Sequence, residues 1–276
     1  MKMKRLAATF MAAMVALTAV GCSAVSVDGE SNKGKTEAAN ATAEAEGDTT
    51  SETQGNGSIG LAVSTLNNPF FVTLSEGAQA AAKEKNVELI VVDAGDDAAK
   101  QTNDIEDLIS RNISVLIVNP VDSDAVAPAV QDAVAKGIKV VSVDRVVNGV
   151  EVDCAIASDN VAGAQMATEY LVTLVGEGAK VAELEGVSGA SATIDRGEGF
   201  HLVADEKLDV VSKQTANFNR SEGMSVMENM LQANPDIQGV FAHNDEMALG
   251  AVEAIGGKEI IVIGFDATDD ALTAVS

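Results

Sequence analysis

The chain has 276 residues, enough for one large domain or two small ones, and its 46% hydrophobic and 22% charged residues are typical of a globular protein. Acidic residues outnumber basic ones 42 to 18, and the resulting net charge of −24 disfavours binding to nucleic acid, whose phosphates such a surface repels. The two Cys (22 and 154) and two His (201 and 243) lack the close spacing of a structural zinc site with four protein ligands, and we predict neither metal nor cofactor.

The N-terminus has the pattern of an export signal. Lys2, Lys4 and Arg5 precede the uncharged stretch 6–20, which is shorter than the roughly 20 apolar residues that span a bilayer. The following Gly21-Cys22 completes a segment that resembles the lipobox of bacterial lipoproteins, in which the signal is removed and the cysteine carries a diacylglycerol. An ordinary signal peptide with an incidental cysteine is the alternative. We predict a signal peptide over 1–21, lipidation of Cys22 and anchoring at the extracytoplasmic face of the bacterial cell membrane.

Residues 22–57 form the predicted linker. The stretch 23–57 is rich in Ser, Thr, Ala, Glu and Gly and contains no Leu, Ile, Met or aromatic residue. It cannot bury enough apolar area to offset its conformational entropy, so we predict a disordered acidic tether. The folded part is expected to begin near Ser58.

From residue 59 onward, short runs rich in Val and Ile alternate with stretches of helical period. The runs lack strict polar alternation, as strands buried on both faces do, which indicates parallel sheets and an α/β fold. One series of runs occupies 59–63, 89–92, 115–118 and 140–143, and a second begins at Val181, Val210, Val240 and Ile260. Helices are predicted over 74–85, 100–111, 124–136, 161–175, 222–233 and 245–255.

The interlude at 146–160 separates the two series. We therefore predict two Rossmann-like, doubly wound lobes joined by a hinge, an N-terminal lobe over 58–157 and a C-terminal lobe over 158–276. Within the interlude, Asn148-Gly149 indicates a turn, followed by apolar residues at alternate positions from Val150 to Ile156. Cys154 lies on the apolar side of this alternation and is predicted to be a buried, inert thiol rather than a redox or catalytic one.

Polar and aromatic residues follow several of the predicted strands. Ligands of open parallel sheets bind at the carboxyl ends of the strands, so we expect these residues to face a common cleft. They are Asn68, Phe70 and Phe71 after the first run, Asn119 after the third, Asp144 and Arg145 after the fourth, His243, Asn244 and Asp245 after the seventh, and Asp266 after the eighth.

This set of side chains suits a neutral polyol such as a sugar. Asp144 and Asp266 accept hydrogen bonds, Arg145 and Arg196 donate several, asparagines do both, and phenyl rings stack on sugar C–H faces. Two aspartates and two arginines cancel in charge, so a charged ligand would leave one charge unpaired. Structural roles remain open for several residues in or beside this set. They are Asp122 and Asp245 as helix caps, Pro69 as a helix start, Phe70 and Phe71 as core residues, and Arg196 in a surface ion pair.

Several segments closely resemble bacterial ribose-binding proteins, the extracytoplasmic receptors of ABC sugar importers with the periplasmic-binding-protein type I fold. The segments are STLNNPFF (64–71), NPVDSDAV (119–126), VDR (143–145), ASDN (157–160), RGEGF (196–200), NDEMALGA (244–251) and GFD (264–266). The resemblance implies a monomeric, non-enzymatic receptor that holds a pentose, D-ribose first, between two lobes and delivers it to a membrane permease. It implies ligand contacts from Asn68, Phe70, Phe71, Asn119, Asp144 and Arg145 in the first lobe and from Arg196, Phe218, Asn244 and Asp266 in the second.

The resemblance also implies that the family continues for several tens of residues beyond Ser276. That part would return to the first lobe twice, add two hinge strands and contribute a glutamine to the sugar site. We therefore expect an incomplete C-terminal lobe, with weakened affinity and stability. Allose, xylose, galactose or a furanose are alternative ligands.

Two other classes of protein fit the sequence less well. A secreted sugar-processing enzyme could use Asp144 and Asp266 as an acid–base pair, but it needs one carboxyl with a raised pKa, and Arg145 beside Asp144 argues against that. A sugar-responsive repressor of the lactose-repressor type would carry a helix-turn-helix where this chain has a lipobox and an acidic linker. A metal role for His243 beside Asp245 and a phosphate-binding role for the loop 186–189 are only weakly indicated.

Overall fold

The computed structural model describes residues 57–275, so the predicted signal peptide, Cys22 and nearly all of the linker lie outside the described residues. The described part alternates strands and helices, as the sequence predicts. The first half contains β1 (Ile59–Val63), α1 (Pro69–Lys85), β2 (Leu89–Asp93), α2 (Ala98–Ser110), β3 (Val115–Val118), α3 (Ala127–Ala135), β4 (Lys139–Val143) and β5 (Cys154–Ile156). The second contains α4 (Asn160–Val175), β6 (Lys180–Glu185), α5 (Ser191–Lys207), β7 (Asp209–Thr215), α6 (Arg220–Ala233), β8 (Gly239–Ala242), α7 (Asp245–Ile255), β9 (Ile261–Ile263) and α8 (Asp269–Ala274).

The strands form two separate parallel sheets. The first has the order β2-β1-β3-β4-β5 and the second the order β7-β6-β8-β9. In both sheets the order reverses direction beside the first strand, which is where open α/β sheets bind ligands. This arrangement confirms the predicted α/β fold of two doubly wound sheets. The boundaries of the first lobe, 58–157, and of the second lobe, 158–276, remain a prediction.

Apolar clusters fill the space between each sheet and its helices. In the first lobe, Leu116 and Val140 pack against Ile105 and Leu108 of α2 and Val130 of α3. In the second lobe, one cluster lies under α6 and α7, and another, which includes the stacked rings of Phe200 and Phe241, lies under α4 and α5. Because both faces of the central strands are covered, their runs of Val, Leu and Ile need no polar alternation.

The region around Cys154 differs from the prediction. Val150 and Val152 pack against the first-lobe core, but the strand begins only at Cys154, and Cys154, Ala155 and Ile156 are all exposed. The prediction of a buried thiol is therefore wrong. The reason is that β5 is the edge strand of its sheet, paired only with β4, so alternation along it does not direct a side chain into a core.

Two features of the helices also differ from the sequence prediction. Helix α5 is not among the predicted helices, since Gly197 and Gly199 interrupt its apolar period. A Cβ at Gly199 would clash with the carbonyl of Val161, so this glycine lets α5 pack closely on α4. Asp245 is a candidate cap in the sequence, but Asn244 is the N-cap of α7, and Asp245 instead accepts hydrogen bonds from the amide and hydroxyl of Thr268. No helix within residues 57–275 is both long and apolar enough to cross a membrane.

Candidate functional site

The ends of the two sheets face each other across one small cavity. Nine of the ten sequence-predicted ligand residues line it, together with Ala192, and its volume is about 20 Å³. The nine are Asn68, Phe70, Phe71, Asp144, Arg145, Arg196, Phe218, Asn244 and Asp266. Both lobes contribute, so the structure brings together residues that are far apart in sequence.

Asn119 is the tenth residue, and it lies behind the cavity wall. Its side chain is fully buried at the end of β3, where Oδ1 accepts hydrogen bonds from the amide and hydroxyl of Ser64. Its Nδ2 donates to the carbonyl of Val143 and to Oδ2 of Asp144, both at 3.2 Å. Asn119 thus ties three strand ends together and orients the Asp144 carboxylate.

The first charged pair, Asp144 and Arg145, follows β4 directly. The Arg145 side chain is only 2% exposed, and its Nη1 donates to the carbonyl of Pro120 at 2.7 Å. Its Nε lies 3.6 Å from Oδ2 of Asp144, and this buried atom has no hydrogen-bond partner. Burial lowers the pKa of Arg145 to about 10, a shift that the Asp144 charge opposes, so the guanidinium stays charged at neutral pH.

The second charged pair, Arg196 and Asp266, comes from distant elements. Arg196 of α5 donates through Nε to Oδ1 of Asn160 at 2.9 Å and through Nη1 to the carbonyl of His243. The same Nη1 lies 3.4 Å from Oδ1 of Asp266. Arg196 is therefore not part of a surface ion pair: it is buried and held from three sides.

Burial dominates the protonation of this second pair. Desolvation lowers the pKa of Arg196, against the opposing effect of Asp266. Desolvation also raises the pKa of Asp266 to about 7, since the attraction of Arg196 only partly offsets burial and the nearby charges of Asp245 and Asp144. An acid–base enzyme needs one carboxyl with a raised pKa. Arg145 argues against this at Asp144, but Asp266 meets the condition.

Aromatic rings separate the two arginines. The guanidinium carbon of Arg145 lies 5.1 Å from the ring centre of Phe71 and 5.3 Å from that of Phe218. The guanidinium of Arg196 lies 5.9 Å from the Phe218 ring and 3.9 Å from the Phe265 ring. Phe218 therefore stands between the like charges and offers an apolar face to each. Phe265, beside Asp266 in the segment GFD, is a contributor that the sequence did not predict.

The two asparagines play equivalent parts in the two lobes. Oδ1 of Asn68 accepts from the amide of Phe70 at the start of α1, and Oδ1 of Asn244 accepts from the amide of Met247 in α7. The Nδ2 groups of both asparagines donate to the carbonyl of Phe218, at 3.4 and 3.3 Å. Pro69 begins α1, which is the structural role open to it from the sequence. Helix capping fixes both amides, leaving their Nδ2 groups directed at one point between the lobes.

Backbone strain marks the same residues. Asp144, Phe218 and Asp266 have φ values of 66°, 57° and 117°, in the left-handed region that favours glycine. Such conformations persist only where the surroundings impose them, and they cluster at functional sites. Nothing in the sequence signals this strain, since an aspartate or phenylalanine after a strand is compatible with ordinary φ values.

The metal and phosphate hypotheses are not supported by the contacts of His243 and of the loop 186–189. The His243 ring pairs with Glu183 at 2.9 Å, whereas Asp245 bonds to Thr268, so the two do not share a metal site. Within residues 57–275 no cluster of three or more His, Cys, Asp or Glu residues is arranged to hold a metal. In the loop, Gly186 packs on the Phe218 ring and Gly189 on the Asp122 carboxylate, an environment that disfavours phosphate.

Comparison with known proteins agrees with this geometry. A family model described as periplasmic binding protein domain matches residues 59–276. The ribose import binding protein RbsB of Bacillus subtilis is 56% identical over 219 residues, which are 79% of this chain and 72% of that protein.

Solved structures agree as well. The Caulobacter myo-inositol binding protein bound to myo-inositol is 31% identical, with a TM-score of 0.74 over 79% of this chain and 78% of that one. A solute binding protein of an Actinobacillus succinogenes ABC transporter with bound D-allose is also 31% identical, with a TM-score of 0.71 over 79% and 81%. This chain matches the family model over residues 59–276 and is 56% identical to a curated relative. It therefore belongs to the periplasmic binding proteins.

Proposed function

We propose that this chain binds a monosaccharide, D-ribose first, between its two lobes and serves as the receptor of an ABC importer without altering the sugar. The observation that carries this proposal is the convergence of nine predicted ligand residues from both sheets on one cavity. Two carboxylates, two guanidinium groups, two amides and three phenyl rings match the alternating hydroxyls and C–H faces of a sugar. The identity of 56% to a ribose import binding protein supports ribose as the first ligand to test.

The mechanism that we propose is closure of the lobes around the sugar. A cavity of about 20 Å³ has room for about one water molecule. A sugar must therefore enter while the lobes stand further apart, and it favours the closed form because only there do both lobes contact it. The Nδ2 groups of Asn68 and Asn244 donate to the Phe218 carbonyl in this closed arrangement, and each has a second N–H that can donate to a sugar hydroxyl.

A thermal-shift panel of about a dozen pentoses and hexoses tests the ligand class. Ligands that bind only the folded protein raise its unfolding temperature, so D-ribose is expected to give the largest shift. A larger shift with allose, galactose or xylose would keep the receptor role and change the sugar. Calorimetric titration with millimolar sugar that shows no heat beyond dilution for any member of the panel would refute sugar binding.

The raised pKa of Asp266 favours one rival, a retaining or inverting glycosidase. We expect no release of nitrophenol from nitrophenyl pentosides during prolonged incubation with the protein at pH 7. Turnover that disappears in Asp266→Asn would establish the rival.

We also propose that residues 1–21 direct export and that Cys22 carries a lipid, which places the receptor at the extracytoplasmic face of the cell membrane. We expect the receptor to be a monomer there. The lipobox-like end of the signal supports this proposal. Mass spectrometry of the membrane-extracted protein should find diacylglycerol on Cys22, and Cys22→Ala should release the protein in soluble form. An unmodified Cys22 in the membrane fraction would contradict it.

A further inference from the structure

A second set of contacts joins the lobes outside the sugar cavity. The loop after β3 and the start of α5 meet there, and three hydrogen bonds cross between the lobes. The amide of Ser123 donates to the carbonyl of Gly189 at 3.0 Å, the amide of Ser191 donates to Oγ of Ser123 at 3.2 Å, and the amide of Val146 donates to Oγ of Ser191 at 3.0 Å. Ser123 is fully buried and Ser191 is 6% exposed.

These bonds complete a helix end that the second lobe leaves incomplete. Helix α5 begins at Ser191, and the preceding residue, Ala190, has no side-chain oxygen to cap it. The first amides of a helix have no partner within the helix, so a cap is normally supplied by the preceding side chain. Here the hydroxyl of Ser123, from the other lobe, accepts the hydrogen bond from the first amide of α5.

The approach of the two loops is tight. Gly189 has a φ of 86°, and a Cβ at this position would overlap the carboxylate of Asp122. Asp122 itself is fixed, because its Oδ1 accepts from the amides of Asp124 and Ala125. A side chain at Gly189 would therefore hold the lobes apart. Glycine lets the Ser123 hydroxyl reach the amide of Ser191 and the Ser191 hydroxyl reach the amide of Val146.

We propose that Ser123 and Ser191 form an interlobe latch that stabilises the closed form and thereby sets sugar affinity, although neither residue lines the sugar cavity. This inference rests on the proposed sugar binding. When the lobes separate, all three hydrogen bonds break and water solvates the freed groups. In the closed form only, removing the Ser123 hydroxyl leaves the buried amide of Ser191 unpaired, and removing the Ser191 hydroxyl leaves the part-buried amide of Val146 unpaired. The closed form therefore loses stability relative to the open one. The latch also holds α5, which carries Arg196 into the sugar site.

The variants Ser123→Ala and Ser191→Ala test the latch, because each hydroxyl accepts one hydrogen bond from the backbone of the other lobe. In calorimetry with D-ribose, each variant should raise Kd about fivefold, the value of one hydrogen bond of ordinary strength. In stopped-flow measurements the dissociation rate should rise and the association rate should change little, since the encounter takes place with the open form.

Matched controls are Ser110→Ala and Ser225→Ala, one in each lobe. Both are exposed serines whose hydroxyls bond to carbonyls within their own helices, of Asp107 and Ser221. Their Kd values should stay within about twofold of the parent protein. If Ser123→Ala does not fold, as judged by circular dichroism, Ser191→Ala alone decides the test.

Small-angle X-ray scattering of the sugar-free protein separates the latch from the proposed function. Both latch variants should have a larger radius of gyration than the parent and the controls, because their lobes separate more often. If the parent binds ribose and both latch variants keep its Kd and dissociation rate, the latch is refuted and sugar binding stands. If the parent binds no sugar, the proposed function fails, and an unchanged radius of gyration in both variants then refutes the latch as well.

Discussion

The two aspartate–arginine pairs of the site carry the same charges but are assembled differently. Asp144 and Arg145 are neighbours in sequence at the end of β4, and Nε of Arg145 has no hydrogen-bond partner. Arg196 and Asp266 come from α5 and from the segment after β9, and Arg196 has additional partners in Asn160 and the His243 carbonyl. The first pair thus depends on neighbouring strand ends, of β3 and β4, within one sheet, whereas the second depends on the packing of α4, α5 and β8.

This difference in contacts indicates different roles for the two pairs. The first is supported from behind by Asn119, whose Nδ2 bonds to Asp144, and Nε of Arg145 is buried without a hydrogen-bond partner. The second already uses Nε and Nη1 of Arg196 on protein groups, and desolvation raises the pKa of Asp266 to about 7. We therefore expect the first pair to contribute chiefly to ligand affinity and the second pair to contribute both to ligand affinity and to the stability of the fold.

The largest expected effect is on the first pair. Asp144→Ala deprives the buried Arg145 of its nearest counter-charge and removes the acceptor that we propose for sugar hydroxyls, so D-ribose affinity should fall more than about 100-fold. Calorimetry measures it, with the exposed Asp132→Ala in α3 as control. An Asp144→Ala variant with parental affinity would exclude this carboxylate as a ligand.

The second pair should make stability depend on pH. Unfolded Asp266 loses its proton near the ordinary pKa of 3.8, but the folded carboxyl, with its pKa raised to about 7, holds the proton longer. The folded state binds more protons between these values, so this group's contribution to the free energy of unfolding falls as pH rises from 4 to 7 and is constant above and below that window.

Asp266→Asn removes this dependence. Relative to Asp266→Asn, the parent should lose up to about 4 kcal/mol of unfolding free energy between pH 4 and 7, from about 1.4 kcal/mol for each pKa unit. Urea unfolding at a series of pH values measures the difference, with Asp132→Asn as the exposed control. Stability curves of parent and Asp266→Asn that run parallel across this window would show that Asp266 is ionised in the fold.

Conservative replacement of the arginines compares the pairs directly. A lysine cannot reproduce the fork by which Arg196 reaches Asn160 and the His243 carbonyl at once, so Arg196→Lys should lower the unfolding temperature as well as ribose affinity. Arg145→Lys loses one hydrogen bond, to Pro120, and should lower the unfolding temperature less. Equal losses of unfolding temperature in the two variants would contradict the assignment of the second pair to folding.

How far each pair could be predicted follows from the same contrast. Asp144 and Arg145 come directly after a Val-rich run, so the rule that ligands bind at strand ends is enough to find them. Phe218 is found only through the family resemblance, because its segment has no strand-end or helix signal and its φ of 57° cannot be foreseen. Asn160 has the sequence signal of a helix cap alone, since its contact with Arg196 exists only once α4 and α5 have packed together.

The smallest effect should come from Asn160→Ala, which removes the partner of Nε of Arg196 and makes the second pair resemble the first. Asn160 is the first residue of α4 and is 4% exposed, while Asp159 caps that helix. The substitution therefore spares the cap and costs one charge-assisted hydrogen bond, about 1.5–3 kcal/mol of unfolding free energy. Chemical denaturation measures this loss, and Ser158→Ala, at an exposed position two residues earlier, is the control. If Asn160→Ala is as stable as that control, the guanidinium of Arg196 is held sufficiently by the His243 carbonyl and Asp266, and the two pairs differ less than their contacts indicate.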